Sequence, residues 1–173
     1  MSALTPQVPY VIARCFSFIG PHLPLNSRFA AGNFLRDAIN GGPIVVRGDG
    51  RAIRSYLYAT DLVVWLLTIL LHGQTGRAYN VGSDKAVSIR AMAELVAEAA
   101  DPTIEITAPA ILGEAPPHRY VPLIERSRVE LRVDILTDLD IAVRHALEWL
   151  KSPSQDFELP ITGSSASISP VRS

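Results

Sequence analysis

The stretch "IVVRGDGRAIRSYLYATDLVVWLLTILLHG", residues 44–73, decides how this chain reads. A short β-branched run, Ile44 to Val46, meets Gly48-Asp49-Gly50. Glycines beside an aspartate suit tight turns, so the spacing predicts a hairpin turn. Residues 53–58, "IRSYLY", alternate and predict a second strand. Alternate side chains of a strand share a face, which sets Arg54, Tyr56 and Tyr58 against Ile53, Ser55 and Leu57. Residues 61–72 then read as a helix ended by Gly73, with Asp61 as its expected N-terminal cap. The apolar run from Leu62 to Leu71 is broken only by Thr68, which predicts a helix buried on nearly all sides. The run is well short of the ~20 residues that span a bilayer, so no membrane partner is expected.

Working outward, "YVIARCFSF" at 10–18 is apolar on both faces and predicts a buried parallel strand ended by Gly20-Pro21. Residues 27–40 predict a helix carrying Phe29, Phe34, Leu35, Ala38 and Ile39, with Ser27 as a cap. Beyond the central stretch, "AYNVGS" at 78–83 reads as a short strand and turn, and Asn80 as a structural turn residue. Ser88 caps an amphipathic helix running to Ala100. A strand is expected at 103–107, a Pro-rich loop at 109–122, and helices at 126–131 and 138–151. Asp138 and Asp140 suit the positive end of the last helix, and His72 the negative end of the central one. Residues 152–173 are Ser/Pro-rich with little to bury, and a disordered tail is expected there. Strands alternating with helices argue an α/β fold, and the length suits one domain over 1–151.

The net charge of −1 offers no general field for nucleic acid. The cations are nonetheless lopsided, fourteen arginines against Lys85 and Lys151. Arginine holds phosphate in a bidentate fork that lysine lacks. Cys15 is the single cysteine; it cannot form an internal disulfide, and its apolar neighbours predict a small buried hydrophobe. With no basic flank and apolar core at the N-terminus, the expected location is the cytoplasm. His22, His72, His118 and His145 have no metal-ligand spacing, and no catalytic triad is favoured by the pattern.

Gly-Asp-Gly is not a dinucleotide loop. That fingerprint needs a third glycine and a following helix, whereas Ile53 stands at the third position and a strand follows. Neither lysine follows a glycine loop of the Walker type.

Four segments in order carry a resemblance: "ARCFSFIGP", "GGPIVVRGDGRAIRSYLYATDLV", "RAYNVGSDKAVSIRAMAELVAEA" and "RYVPLIERSRVELRVDILTDLDIAVRHALEWL". Together they resemble the C-terminal half of the NAD-dependent nucleotide-sugar epimerases and dehydratases, the extended short-chain dehydrogenase/reductases. The resemblance covers about residues 8–151. It implies the last sheet strands of a Rossmann-type fold plus the small substrate-binding lobe. It implies that Arg54 clamps the diphosphate of a nucleoside-diphosphate sugar, and that Val45 and Arg47 flank the base. Ser17 stands where most members have an Asn that touches substrate, Phe29 would line the same cleft, and Arg119 lies near the family's second phosphate-binding arginine. Departures are Ser17 for Asn, Ser55 and Leu123 for Asp, and "EAPPHRY" at 114–120 for the usual Arg-Pro-Gly-Asp loop.

Members transfer hydride with NAD(P) and a Tyr-x-x-x-Lys pair. Here Arg14, Thr60, Leu62, Ser83 and Ile124 follow Tyr10, Tyr56, Tyr58, Tyr79 and Tyr120 by four residues, and none is lysine. By the resemblance, the cofactor loop and catalytic pair belong to a half that precedes this chain. The chain alone is therefore expected to bind no cofactor, to hold no catalytic residue and to be inactive. The expected partners are a nucleotide-sugar and either a separately encoded NAD-binding chain or a second copy. The alternative is a non-catalytic remnant or binding module.

Overall fold

The computed structural model describes residues 8–26, 29–110 and 116–152. The expected cap Ser27 and the tail from 153 onward lie outside them. The elements in order are β1 (Ile12–Cys15), β2 (Phe18–Ile19), α1 (Ala30–Ile39), β3 (Ile44–Val45), β4 (Ile53–Arg54), β5 (Leu57–Tyr58), α2 (Ala59–His72), β6 (Ala78–Val81), β7 (Val87–Ser88), α3 (Ile89–Ala100), β8 (Ile106–Thr107), α4 (Glu125–Leu131) and α5 (Leu139–Lys151). The fold is α/β, as the alternation predicts. Three strand pairs, β1–β6, β2–β5 and β3–β8, are parallel, and β4–β7 is antiparallel.

Helices α1, α3 and α5 pack together because each carries apolar residues at helical spacing. Phe34 and Leu35, Met92 and Val96, and Val143 and Leu147 meet in one closed core. Ser88 caps α3 as expected, its Oγ accepting from the Ala91 N–H at 3.0 Å. A second, smaller cluster joins Trp65 and Ile69 of α2 to Tyr79, Val81, Ile124 and Leu131.

Several expectations are corrected. Gly48-Asp49-Gly50 is not a hairpin: β3 pairs with β8 and β4 with β7, so the turn passes the chain from one strand pair to another. The positive φ of Gly48 and Gly50, 73° and 72°, is real. The strand at 53–58 breaks between β4 and β5. Its two pieces join different partners, β7 and β2, and no single alternation survives the break. The segment at 10–18 likewise splits into β1 and β2. Strand β1 is exposed along its length because, among the described residues, only β6 pairs with it.

Helix α2 is not buried on nearly all sides. Trp65 and Ile69 are, but Val63, Val64 and Leu67 are about half exposed, and Leu70 and Leu71 are each 72% exposed. Nor is Asp61 the N-cap, since Tyr58 holds that position without a side-chain bond. The Asp61 carboxylate is buried and accepts from the Leu136 N–H at 3.0 Å, the Thr137 N–H at 2.9 Å and Thr137 Oγ1 at 3.2 Å. It pins α2 to the turn that leads into α5. At the start of α5, Asp138 makes no cap bond and instead pairs with Lys85 at 2.6 Å. The strand expected at 103–107 is only the two residues of β8. No helix among the described residues is long and apolar enough to cross a membrane.

Candidate functional site

A cleft of about 680 Å³ opens between the N-terminal end of α1, the β1–β2 link, β3 and β4. Its size suits a small-molecule ligand. Ser17, Phe29, Val45, Arg47 and Arg54 all line it, so the structure brings five of the six expected site residues together. Each is placed by backbone. The Ser17 carbonyl accepts from the Leu57 N–H at 3.1 Å, which ties the β1–β2 link to β5. Phe29 is the N-cap residue of α1 and stands 60% exposed at the mouth. Val45 is half exposed on β3, its N–H donating to Asp37 Oδ2 at 3.3 Å. Arg47 stands two residues after the end of β3 and is exposed.

Arg54 projects from β4. Its Nη1 donates to the Ile53 carbonyl at 2.8 Å and the His118 carbonyl at 3.3 Å, and lies 3.3 Å from His118 Nδ1. Among the described residues no carboxylate pairs with Arg54 and no Asp or Glu lines the cleft. Arg51, three residues earlier, is different: Asp49 holds it at 2.7 Å. Two guanidiniums in a cleft without carboxylates favour an anion. The apolar lining, Phe29, Phe34, Val45 and Ile89, offers surface for a planar or aliphatic group.

Arg119 is not in the cleft. Ile53 bridges Arg119 in parallel register, with the Ile53 N–H donating to the His118 carbonyl at 2.8 Å and the Tyr120 N–H to the Ile53 carbonyl at 2.9 Å. Paired residues share a face, so Arg119 sides with Ile53, while His118 and Tyr120 side with Arg54. Tyr120 lines the cleft, its ring stacked on Phe16 with centroids 4.8 Å apart. The sequence reading passed over His118 and Tyr120 because their segment reads as loop; only pairing with β4 sets their parity.

Tyr56 and Cys15 also line the cleft. Burial pushes the Tyr56 phenol up to about 12, against a smaller opposing pull from Arg54. It is a neutral hydrogen-bond donor at physiological pH, not a base. Cys15 is exposed, which corrects the expectation of a buried hydrophobe; it sits on β1, whose cover is thin. Tyr58, grouped with Arg54 by alternation, instead leans on His145 of α5 at 5.6 Å. No group of three His, Cys, Asp or Glu among the described residues could hold a metal.

A sequence profile of the NAD dependent epimerase/dehydratase family matches residues 2–82. UDP-glucuronic acid decarboxylase 1 of Arabidopsis thaliana is 31% identical over 120 residues, covering 69% of this chain and 27% of the plant protein. Human dTDP-D-glucose 4,6-dehydratase is 31% identical over 88 residues, covering 51% of this chain and 25% of the human one. The crystal structure of Bordetella bronchiseptica WbmF in complex with NAD+ and UDP superposes with a TM-score of 0.72 at 26% identity. That match covers 84% of this chain and 46% of WbmF. The chain thus spans about a quarter of the length of these sequence relatives and just under half of the solved one.

Proposed function

Because this chain belongs to the NAD-dependent epimerase/dehydratase family, we propose that residues 1–151 form the nucleotide-sugar-binding portion of a sugar-nucleotide epimerase or 4,6-dehydratase. Arg54 takes the diphosphate. Val45 and Arg47 flank the base, Ser17 contacts the substrate between sugar and phosphate, and Phe29 closes the mouth. The observation that carries this reading is the pair of guanidiniums, Arg47 and Arg54, in a cleft lined by no carboxylate among the described residues.

The residues present do not fit a nicotinamide dinucleotide. Gly48 and Gly50 lead into β4 rather than a helix N-terminus, and no tyrosine stands four residues before a lysine. The raised pKa of Tyr56 also removes it as a base near neutral pH. No hydride-transfer step is assigned to this chain. The chain works beside an NAD-binding body. Two features favour that over a free-standing remnant: the open edge of β1 and the exposed apolar row of α2.

Calorimetry with UDP-glucose tests the cleft. Arg54→Ala is expected to weaken binding about ten- to a hundredfold, the worth of a hydrogen bond to a charged group. Arg51→Ala, whose guanidinium is already held by Asp49, is expected to leave binding nearly unchanged. Equal losses from both would show general electrostatics and sink the assignment.

A further inference from the structure

The register of the 118–120 segment on β4 has a consequence for ligand binding. Resting on the nucleotide-sugar reading of the cleft, we propose that His118 is a proton-linked contact for the diphosphate, so that the chain binds sugar diphosphates more tightly as pH falls. The backbone of His118 is fixed by the Ile53 N–H, and the same ladder turns its side chain to the Arg54 face. Arg54 Nη1 lies 3.3 Å from Nδ1, close enough for the guanidinium to donate to an unprotonated ring nitrogen. That contact exists only while Nδ1 is bare. Protonation replaces the acceptor by a second donor and sets two cations side by side. Such a pair is costly by itself and favourable around an anion that accepts from both.

The groups around His118 support the sign. Arg54 of β4 faces His118 at 3.3 Å, and Arg47, Tyr56 and Tyr120 line the cleft that Arg54 enters, beside which His118 stands. Asp49 is engaged by Arg51 in the turn before β4. No carboxylate bonds to His118 among the described residues, so an incoming diphosphate is the anion available to stabilise the imidazolium. An imidazole ordinarily titrates near neutrality. The bound anion raises the proton affinity of His118. Binding therefore takes up a proton and strengthens as pH drops through the imidazole range, then levels off once the free ring is protonated. Arg119, on the other face, takes no part.

The test is calorimetry of the full chain with UDP-glucose, whose diphosphate diester does not itself titrate near neutral pH. Titrations run from acidic to alkaline pH across the imidazole range, in buffers of differing ionisation enthalpy. The expected result is about a tenfold gain in affinity toward the acidic end, the equivalent of one pKa unit, with net proton uptake. His118→Gln is expected to abolish the slope and the uptake, while Arg119→Gln retains both. A pH-independent affinity in the wild type, or an unchanged slope in His118→Gln, overturns the role of His118 and leaves the cleft reading intact. Absence of UDP-glucose binding at every pH overturns the cleft reading itself, and the proposal with it.

Discussion

The two flanks of this molecule are finished to different degrees. On one side α1, α3 and α5 enclose Phe34, Leu35, Met92, Val96 and Val143, all essentially without solvent contact. On the other, α2 carries a run as apolar as any core, yet of its apolar residues buries only Trp65 and Ile69. The helix lies against β6 and α4 along one stripe; nothing among the described residues covers the rest. Beside it β1 is a parallel strand with one partner, whereas parallel strands ordinarily sit inside sheets covered on both faces. The difference teaches that hydrophobicity along a helix states a demand for cover, not its fulfilment. The closed flank satisfies that demand within the chain, and the open flank leaves it unmet among the described residues.

The largest effect that would sharpen this contrast lies in the closed flank. Leu35→Ala is expected to cost about 2–5 kcal/mol in chemical denaturation, because the three-helix core cannot fully collapse onto the void. The same truncation at Leu70 is expected to fall within about 0.5 kcal/mol, as at other exposed sites. Comparable losses at the two positions would break the comparison.

Next in size is the polar pin of the open flank. Asp61→Ala leaves the Leu136 and Thr137 N–H groups without their acceptor, and about 1–3 kcal/mol of stability should go with it. Unchanged denaturation would mean that α2 is held by Trp65 and Ile69 alone.

Association gives a third check. Large exposed apolar patches and open strand edges promote it. The purified chain should scatter light as an oligomer or aggregate, and Leu67→Ser with Leu70→Ser and Leu71→Ser should move it toward monomer. A well-behaved wild-type monomer would show that the open flank demands no cover.

The smallest effect concerns the cleft wall, where Tyr56 joins the closed core. Its folded pKa, about 12, lies above the ordinary 10.0. The folded state therefore prefers the neutral phenol. The stability this contributes is complete below pH 10 and is lost as pH rises from 10 through 12. Denaturation midpoints measured across that window should fall more steeply in the wild type than in Tyr56→Phe.

Much of the fold was legible from local pattern. Helical spacing located α1, α3 and α5, because a 3.6-residue period of apolar side chains has few other uses. Ser88 was readable as a cap since its oxygen serves an N–H only three residues on. Of the residues that resemblance aligned, Ser17, Phe29, Val45, Arg47 and Arg54 line one cleft. Arg119 lies outside that cleft, in a segment where the motif departs from the family pattern.

What the sequence alone determined, then, was the kind of each element and the polarity of each face, since both follow from side-chain chemistry and backbone period over a few residues. What only the tertiary structure decided was pairing. Whether Gly48-Asp49-Gly50 closes a hairpin depends on β8 and β7, tens of residues away. Whether Asp61 caps its own helix or holds Thr137 depends on where α5 begins. Whether His118 or Arg119 meets Arg54 depends on a one-residue choice of register, and a shift of one residue exchanges the two faces of a strand.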